Sequence, residues 1–155
     1  MRSRIASVGV FAAGMIAGTG FATSPAAHAV TPVLTRQVAM NCLGLSPNIV
    51  DLPYNGGVRV QTRATQPGTI TVIGGSNSAT RYLTDASITI RNTTARASGT
   101  VTLRYLHTAG GSAGGGYTIR DVYTGPGRVT ITVTAINHGV ITIPGPTCRG
   151  TITVR

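Results

Sequence analysis

The amino-acid sequence predicts an all-β chain: an antiparallel β-sandwich of eight to ten short strands, broadly immunoglobulin-like, with a small β-barrel as the alternative. Three observations predict it. Apolar and polar residues alternate with period two through most of the chain, turn residues interrupt them at short intervals, and no stretch carries a helical period.

The elements follow in order. Val30 to Val38 reads as a loose arm or an added edge strand. Ile49 to Leu52 precedes Asn55-Gly56, a dipeptide suited to a hairpin turn into Val58. Val58, Val60 and Thr62 then oppose Arg59, Gln61 and Arg63. Ile70 and Val72 oppose Thr69 and Thr71; Ile88 and Ile90 oppose Ser87, Thr89 and Arg91. Val101, Leu103 and Tyr105 oppose Thr100, Thr102 and Arg104. Val129, Ile131, Val133 and Ala135 oppose Arg128 and three threonines, and Ile152 and Val154 oppose Thr151, Thr153 and Arg155. In each strand the apolar phase is expected inward and the Thr/Arg phase outward. Gln66-Pro67-Gly68, Gly74 to Asn77, Thr124 to Gly127, Asn137 to Gly139 and Pro144-Gly145-Pro146 supply the breaks. Asp121 disturbs the rhythm by falling on the apolar phase. That predicts a bulge, or an ion pair with Arg120 or a cross-strand arginine.

The beginning of the chain has the form of an export signal. Arg2 and Arg4 precede an uncharged stretch from Ile5 to Ala22, and Ala27-His28-Ala29 offers the small residues of a cleavage site. Residues 1–29 are therefore expected to be a signal peptide and 30–155 a single secreted β-sandwich domain. No membrane span is expected after cleavage, so the product would be extracellular or associated with the cell envelope. The only two cysteines, Cys42 and Cys148, are expected to pair in that oxidising space. Such a disulfide closes a loop of about a hundred residues, worth up to about 4–5 kcal/mol in the chain-entropy model. A zinc or redox role finds no CxxC spacing to support it.

Arginine supplies all 13 basic residues, and Asp51, Asp85 and Asp121 are the only acids; lysine, glutamate and tryptophan are absent. The net charge is +10, or +8 once Arg2 and Arg4 leave (10 − 2). That excess favours an anionic polymer, such as a wall polymer or acidic glycan, or an acidic protein surface. The candidate anion-binding residues are Arg59, Arg63, Arg91, Arg104, Arg128 and Arg155, all on the outward phase, with Arg120. Three or more on one sheet would grip phosphate or carboxylate groups bidentately. Nucleic acid is disfavoured, because single-strand binders interleave cations with stacking aromatics and this region has only five tyrosines.

Arg104 and Arg120 flank a glycine-rich segment, 108–116, expected to be a hairpin tip. It lacks the lysine and following helix of a phosphate cradle. Threonine triplets recur, as in Thr130 to Thr134. Ice binding would need them as a flat array, which arginines interrupt. No catalytic or metal-binding set emerges: His107 and His138 adjoin glycine-containing turns, the aspartates are far apart, and no G-x-S-x-G elbow occurs. No cofactor is expected.

The leader, the composition and the strand rhythm resemble small exported single-domain proteins of high-GC Gram-positive bacteria, a likeness too general to carry a function. The sequence thus points to a small secreted non-enzymatic binding protein. Its alternatives are a secreted inhibitor of a protease or glycosidase, and a structural accessory protein of the cell surface.

Overall fold

A computed structural model describes residues 32–108 and 115–155; the expected leader and most of the glycine-rich segment lie outside them. The described residues are all-β and contain no helix. The strands are β1 (Val33–Gln37), β2 (Leu43–Gly44), β3 (Tyr54–Asn55), β4 (Val58–Arg63), β5 (Thr69–Gly75) and β6 (Tyr82–Asn92). They continue with β7 (Ala97–His107), β8 (Gly116–Tyr123), β9 (Gly127–His138), β10 (Thr142–Pro144) and β11 (Cys148–Val154). The count exceeds eight to ten through β2 and β3, a ribbon of two residues on each side.

The architecture is an antiparallel sandwich. One sheet has the order β1-β4-β5-β8. In the other, β7, β6 and β9 are neighbours, and β10 and β11 both pair with the far side of β9. Among the described residues both sheets have free edges and no closed barrel forms, so the barrel alternative does not hold. Val58, Val60, Ile70 and Val72 of the first sheet pack on Ile88, Ile90, Val129, Ile131 and Val133 of the second. Alternation explains these positions: β6 is buried at every second residue along its whole length.

Asp121 is resolved by a bulge. Between the pairs Ile70–Val122 and Val72–Ile119, Thr71 faces two residues, Arg120 and Asp121. Asp121 adopts φ 52°, and the inserted residue turns it outward while Val122 returns to the core side.

Two expectations are corrected. Asn55-Gly56 does not close a hairpin from 49–52 into Val58. β3 pairs back on β2, and the two glycines then carry the chain to the first sheet. Ile49 to Leu52 is irregular because Pro47 and Pro53 bracket it, and Pro53 cannot donate to a ladder. The strands on either side of segment 108–116 likewise do not form a hairpin, since β7 and β8 belong to different sheets; residues 109–114 themselves lie outside the described residues.

Polar hubs hold the two ends. At the lower end, buried Asn92 donates to the carbonyls of Thr124, Gly125 and Pro126 and accepts from the N–H groups of Thr94 and Ala95. There Gly68 and Gly125 both take positive φ and approach each other too closely for a side chain on Gly68. At the upper end, Asp51 accepts from Leu52 N, Ala79 N, Ser78 Oγ and Thr80 Oγ1 at 2.6–2.7 Å. Asn48 joins this hub to Val140 N at 2.9 Å. The Cys42–Cys148 disulfide is present, with Cα atoms 5.2 Å apart, and ties the segment after β1 to the start of β11.

Candidate functional site: an arginine-rimmed cleft between the sheets

The seven candidate arginines divide between the layers. Arg59, Arg63 and Arg120 lie on the first sheet, and Arg91, Arg104, Arg128 and Arg155 on or just beyond strands of the second. Pairing fixes their relations. Arg91 lies opposite Thr130 on β9, and Arg128 opposite Thr153 on β11. Arg91, Arg128 and Arg155 therefore occupy successive diagonal positions across β6, β9 and β11 at the lower end of one outer face. Diagonal neighbours on a sheet stand roughly 7–8 Å apart, within reach of side chains as long as arginine.

Arg104 is committed elsewhere. Its guanidinium grips Asp85 on the neighbouring strand through both carboxylate oxygens, Nη2 to Oδ2 at 2.7 Å. His138 Nε2 approaches the same Oδ2 at 3.0 Å. The Arg104 hydrogen bond is the main reason the Asp85 carboxyl is held down at about 2; slight desolvation opposes it and His138 adds to it. Arg59 borders a polar groove of about 540 Å³ with Asn55, Ser76, Asn77 and Tyr117, away from the other candidates.

The most distinctive arrangement lies where the two layers fail to meet. β1 extends the first sheet beyond β4, and its inward positions, Leu34 and Arg36, oppose Thr62 and Val60. Leu34 remains 50% exposed. Across the gap stands β11, the edge of the second sheet. A cleft of about 360 Å³ opens between them, floored by Leu34, Val60 and Ile152 and lined also by Arg36, Arg63 and Arg155. Arg63 shares its Nη1 with Gln66 at 3.2 Å and Asp121 at 3.3 Å. Neither Arg36 nor Arg155 pairs with an acidic side chain among the described residues. Pocket and charge thus coincide: an apolar floor, two guanidiniums paired with no aspartate and a third that is partly neutralised.

The sequence singled out Arg63 and Arg155 but not Arg36, which sits on the inward phase of a strand whose pairing was open. The available signal was Leu34-Thr35-Arg36 itself. An arginine where a core residue belongs marks an unfinished layer.

His107 proves to be the opposite of a turn residue. It pairs with Tyr82, lies fully buried and stacks on the Tyr82 ring at 3.9 Å. Nδ1 donates to the Ser76 carbonyl at 3.1 Å, so that nitrogen has no lone pair for the Ser76 hydroxyl 3.5 Å away. Nε2 faces Thr84 Oγ1 at 2.9 Å, and Thr84 also contacts Asn137 at 2.8 Å. Burial holds the His107 pKa below its ordinary value, against the pull of the Ser76 carbonyl and Asp51. Burial likewise pushes the hydroxyls of Tyr54, Tyr82, Tyr105 and Tyr117 upward. This cluster is packing for the upper end of the core.

The threonine triplets of β7, β9 and β11 do share one outer face, with Thr89–Thr100 and Thr130–Thr151 hydroxyls 3.0 and 3.5 Å apart. The Thr69-Thr71 triplet is on the other sheet, and Arg91, Arg128 and Arg149 interrupt the array.

Among the described residues no group of three or more His, Cys, Asp or Glu side chains is placed to hold a metal ion, and no helix is long and apolar enough to cross a membrane. Set against known proteins, the chain matches no family model, no curated protein and no solved structure.

Proposed function

We propose that the chain is a small exported, non-enzymatic binding protein that captures anionic partners through its arginines. One observation carries this reading. Arg36, Arg63 and Arg155 all border a single cleft, and Arg155 also begins the diagonal that runs through Arg128 to Arg91. Guanidinium forks so placed suit phosphate, sulfate or carboxylate groups, which they bind bidentately. The disulfide is compatible with an extracellular site of action. Chromatography on heparin and on isolated wall polymer across a salt series tests the proposal. Retention should fall steeply as salt rises, and an R36Q/R63Q/R155Q variant should elute at lower salt. Weak retention that salt does not alter removes the proposal.

A second reading, an inhibitor or another protein-docking role, is favoured by a separate feature of the upper end. Ile49 and Val50 are 87% and 83% exposed, and Val140 is 74% exposed. The two loops are held together, since Ile141 N donates to Pro47 O and Val140 N to Asn48 Oδ1. Aliphatic side chains displayed on tied loops suit a protein surface. Stoichiometric inhibition of a secreted hydrolase that survives high salt, and is lost in I49D, selects this reading over the first.

A further inference from the structure

We infer that the cleft between β1 and β11 takes an amphiphile: a small molecule with one anionic, oxygen-rich head and a short apolar tail. This rests on the arginines acting as anion receptors, and it adds the identity of what lies behind the head group. A surface built only for polyanions needs no depth and no apolar lining. Here the arginines rim a recess whose floor is Leu34, Val60 and Ile152, and Val60 is only 1% exposed. The recess of about 360 Å³ accommodates about a dozen non-hydrogen atoms, at the ~30 Å³ that one liquid water occupies. It falls near the small end of the roughly 300–1,000 Å³ range of ligand pockets, which are mostly apolar with a few placed polar groups.

The head group is specified by charge. Arg36 lines the cleft from β1, and Arg155 borders it from the other side, just past β11, where the rim meets the outer face. Arg63 stands at the lower end of β4, with Asp121 on its Nη1. Asp121 is the one acidic side chain paired with a lining arginine, so the side chains at this rim sum to a positive charge of two (three arginines less one aspartate). A phosphate or sulfate monoester, or a carboxylate, placed between Arg36 and Arg155 finds donors on both sides. Its tail then lies along Leu34 and Ile152, which replace water contacts with apolar ones. Among the described residues no strand pairs with the outer edge of β1, so a tail that enters from that side leaves the sandwich folded.

Calorimetric titration of the full chain with octyl phosphate, inorganic phosphate and octyl glucoside, all below micelle-forming concentrations, tests the inference. Octyl phosphate should bind on the order of a hundredfold more tightly than inorganic phosphate, since each buried methylene adds to binding. It should also exceed octyl glucoside roughly tenfold or more, because the sugar cannot use the guanidiniums. L34N, an uncharged change at an exposed edge position, should abolish the preference for octyl phosphate over inorganic phosphate. R36Q should weaken octyl phosphate and inorganic phosphate together, and R104Q, on the far face, should alter neither. Equal affinity for octyl and inorganic phosphate overturns the inference, as does equal affinity for octyl phosphate and octyl glucoside. Absence of octyl phosphate uptake overturns it too, including the case in which residues 1–31 of the chain itself fill the cleft. If heparin retention persists in any of these cases, only the amphiphile is lost; if it is absent as well, the anion-binding proposal falls with it.

Discussion

Arg63 and Asp121, 58 residues apart in the chain, meet at 3.3 Å across the outer side of β5. The contact exists because the bulge in β8 turns Asp121 out of the core, onto the face from which Arg63 projects. Both side chains are substantially exposed, at 43% and 59%, so the pair contributes little to stability, about 0–1 kcal/mol. Its consequence is for charge. Asp121 neutralises part of one of the three arginines lining the cleft. D121N removes that counter-charge, and asparagine tolerates the φ of 52° at this position. D121N should therefore elute from heparin at higher salt than the parent, with a thermal midpoint almost unchanged. Elution at equal or lower salt would show that Arg63 does not take part in anion binding.

The disulfide should act as the clamp on the unfinished edge. Cys42 and Cys148 are both buried, and they hold the segment following β1 against β11, the two strands that border the cleft. A C42A/C148A variant should lose about 2–5 kcal/mol of stability, much of it by freeing the unfolded chain. Urea unfolding measures it, and the same variant should bind octyl phosphate less tightly because β1 is no longer tethered close to β11. A urea midpoint within error of the parent would remove the clamp from the account.

How much of this was legible depends on how fully each strand is covered. β6 and β9 run through the middle of their sheet, so every second residue is buried, and Ile88, Ile90, Val129 and Ile131 could be read from alternation alone. β7 is an edge strand. Its apolar phase begins with Val101 at 37% exposure and reaches the core only at Tyr105, so alternation there overstates burial. Arg36 shows the converse, since only the pairing of β1 with β4 reveals that its phase faces inward over nothing. His107 shares the phase of Tyr105, a signal that the neighbouring glycines obscured. Which arginines adjoin one another was beyond the sequence, because β9 pairs on one side with β6 rather than with β8, the strand before it, and on the other with β11, and those choices made the Arg91-Arg128-Arg155 diagonal.

His107 should impose a pH dependence of its own. Its pKa in the folded chain lies below the ordinary 6.5, because burial disfavours the imidazolium. A depressed folded-state pKa means that unfolding takes up a proton whenever the pH lies between the two values. Stability is then full above about pH 6.5 and declines as the pH drops below it. In H107Q, whose amide replaces the ring without titrating, the decline across that interval should be smaller. Urea midpoints at about pH 7.5 and about pH 5 supply the comparison. An identical decline in parent and variant would place the titrating group elsewhere.

At lower pH the carboxylates Asp51 and Asp85 take over, and they should differ in weight. Partial desolvation would raise the Asp51 pKa, but hydrogen bonds from Thr80, Ser78, Ala79 and Leu52 outweigh it and hold the carboxyl well below the usual range. Asp85 is held at about 2, chiefly by Arg104. Both folded-state values are depressed, so their stabilisation is complete above the unfolded value of about 3.9 and is lost as the pH falls below it. The loss should be larger through Asp51, because its partners tie the loop at 48–52 to the one at 78–80, and Ser78 is itself buried. D51A leaves those donors without an acceptor and should cost about 1–3 kcal/mol at neutral pH. D85N alters an exposed, solvent-screened pair and should cost less than D51A. Acid unfolding of the two variants separates the contributions: D51A should start less stable and show a shallower loss below pH 4, roughly where free aspartate titrates. If D85N proved the more damaging, the upper loops would not depend on the Asp51 hub, and the display of Ile49 and Val140 would need another support.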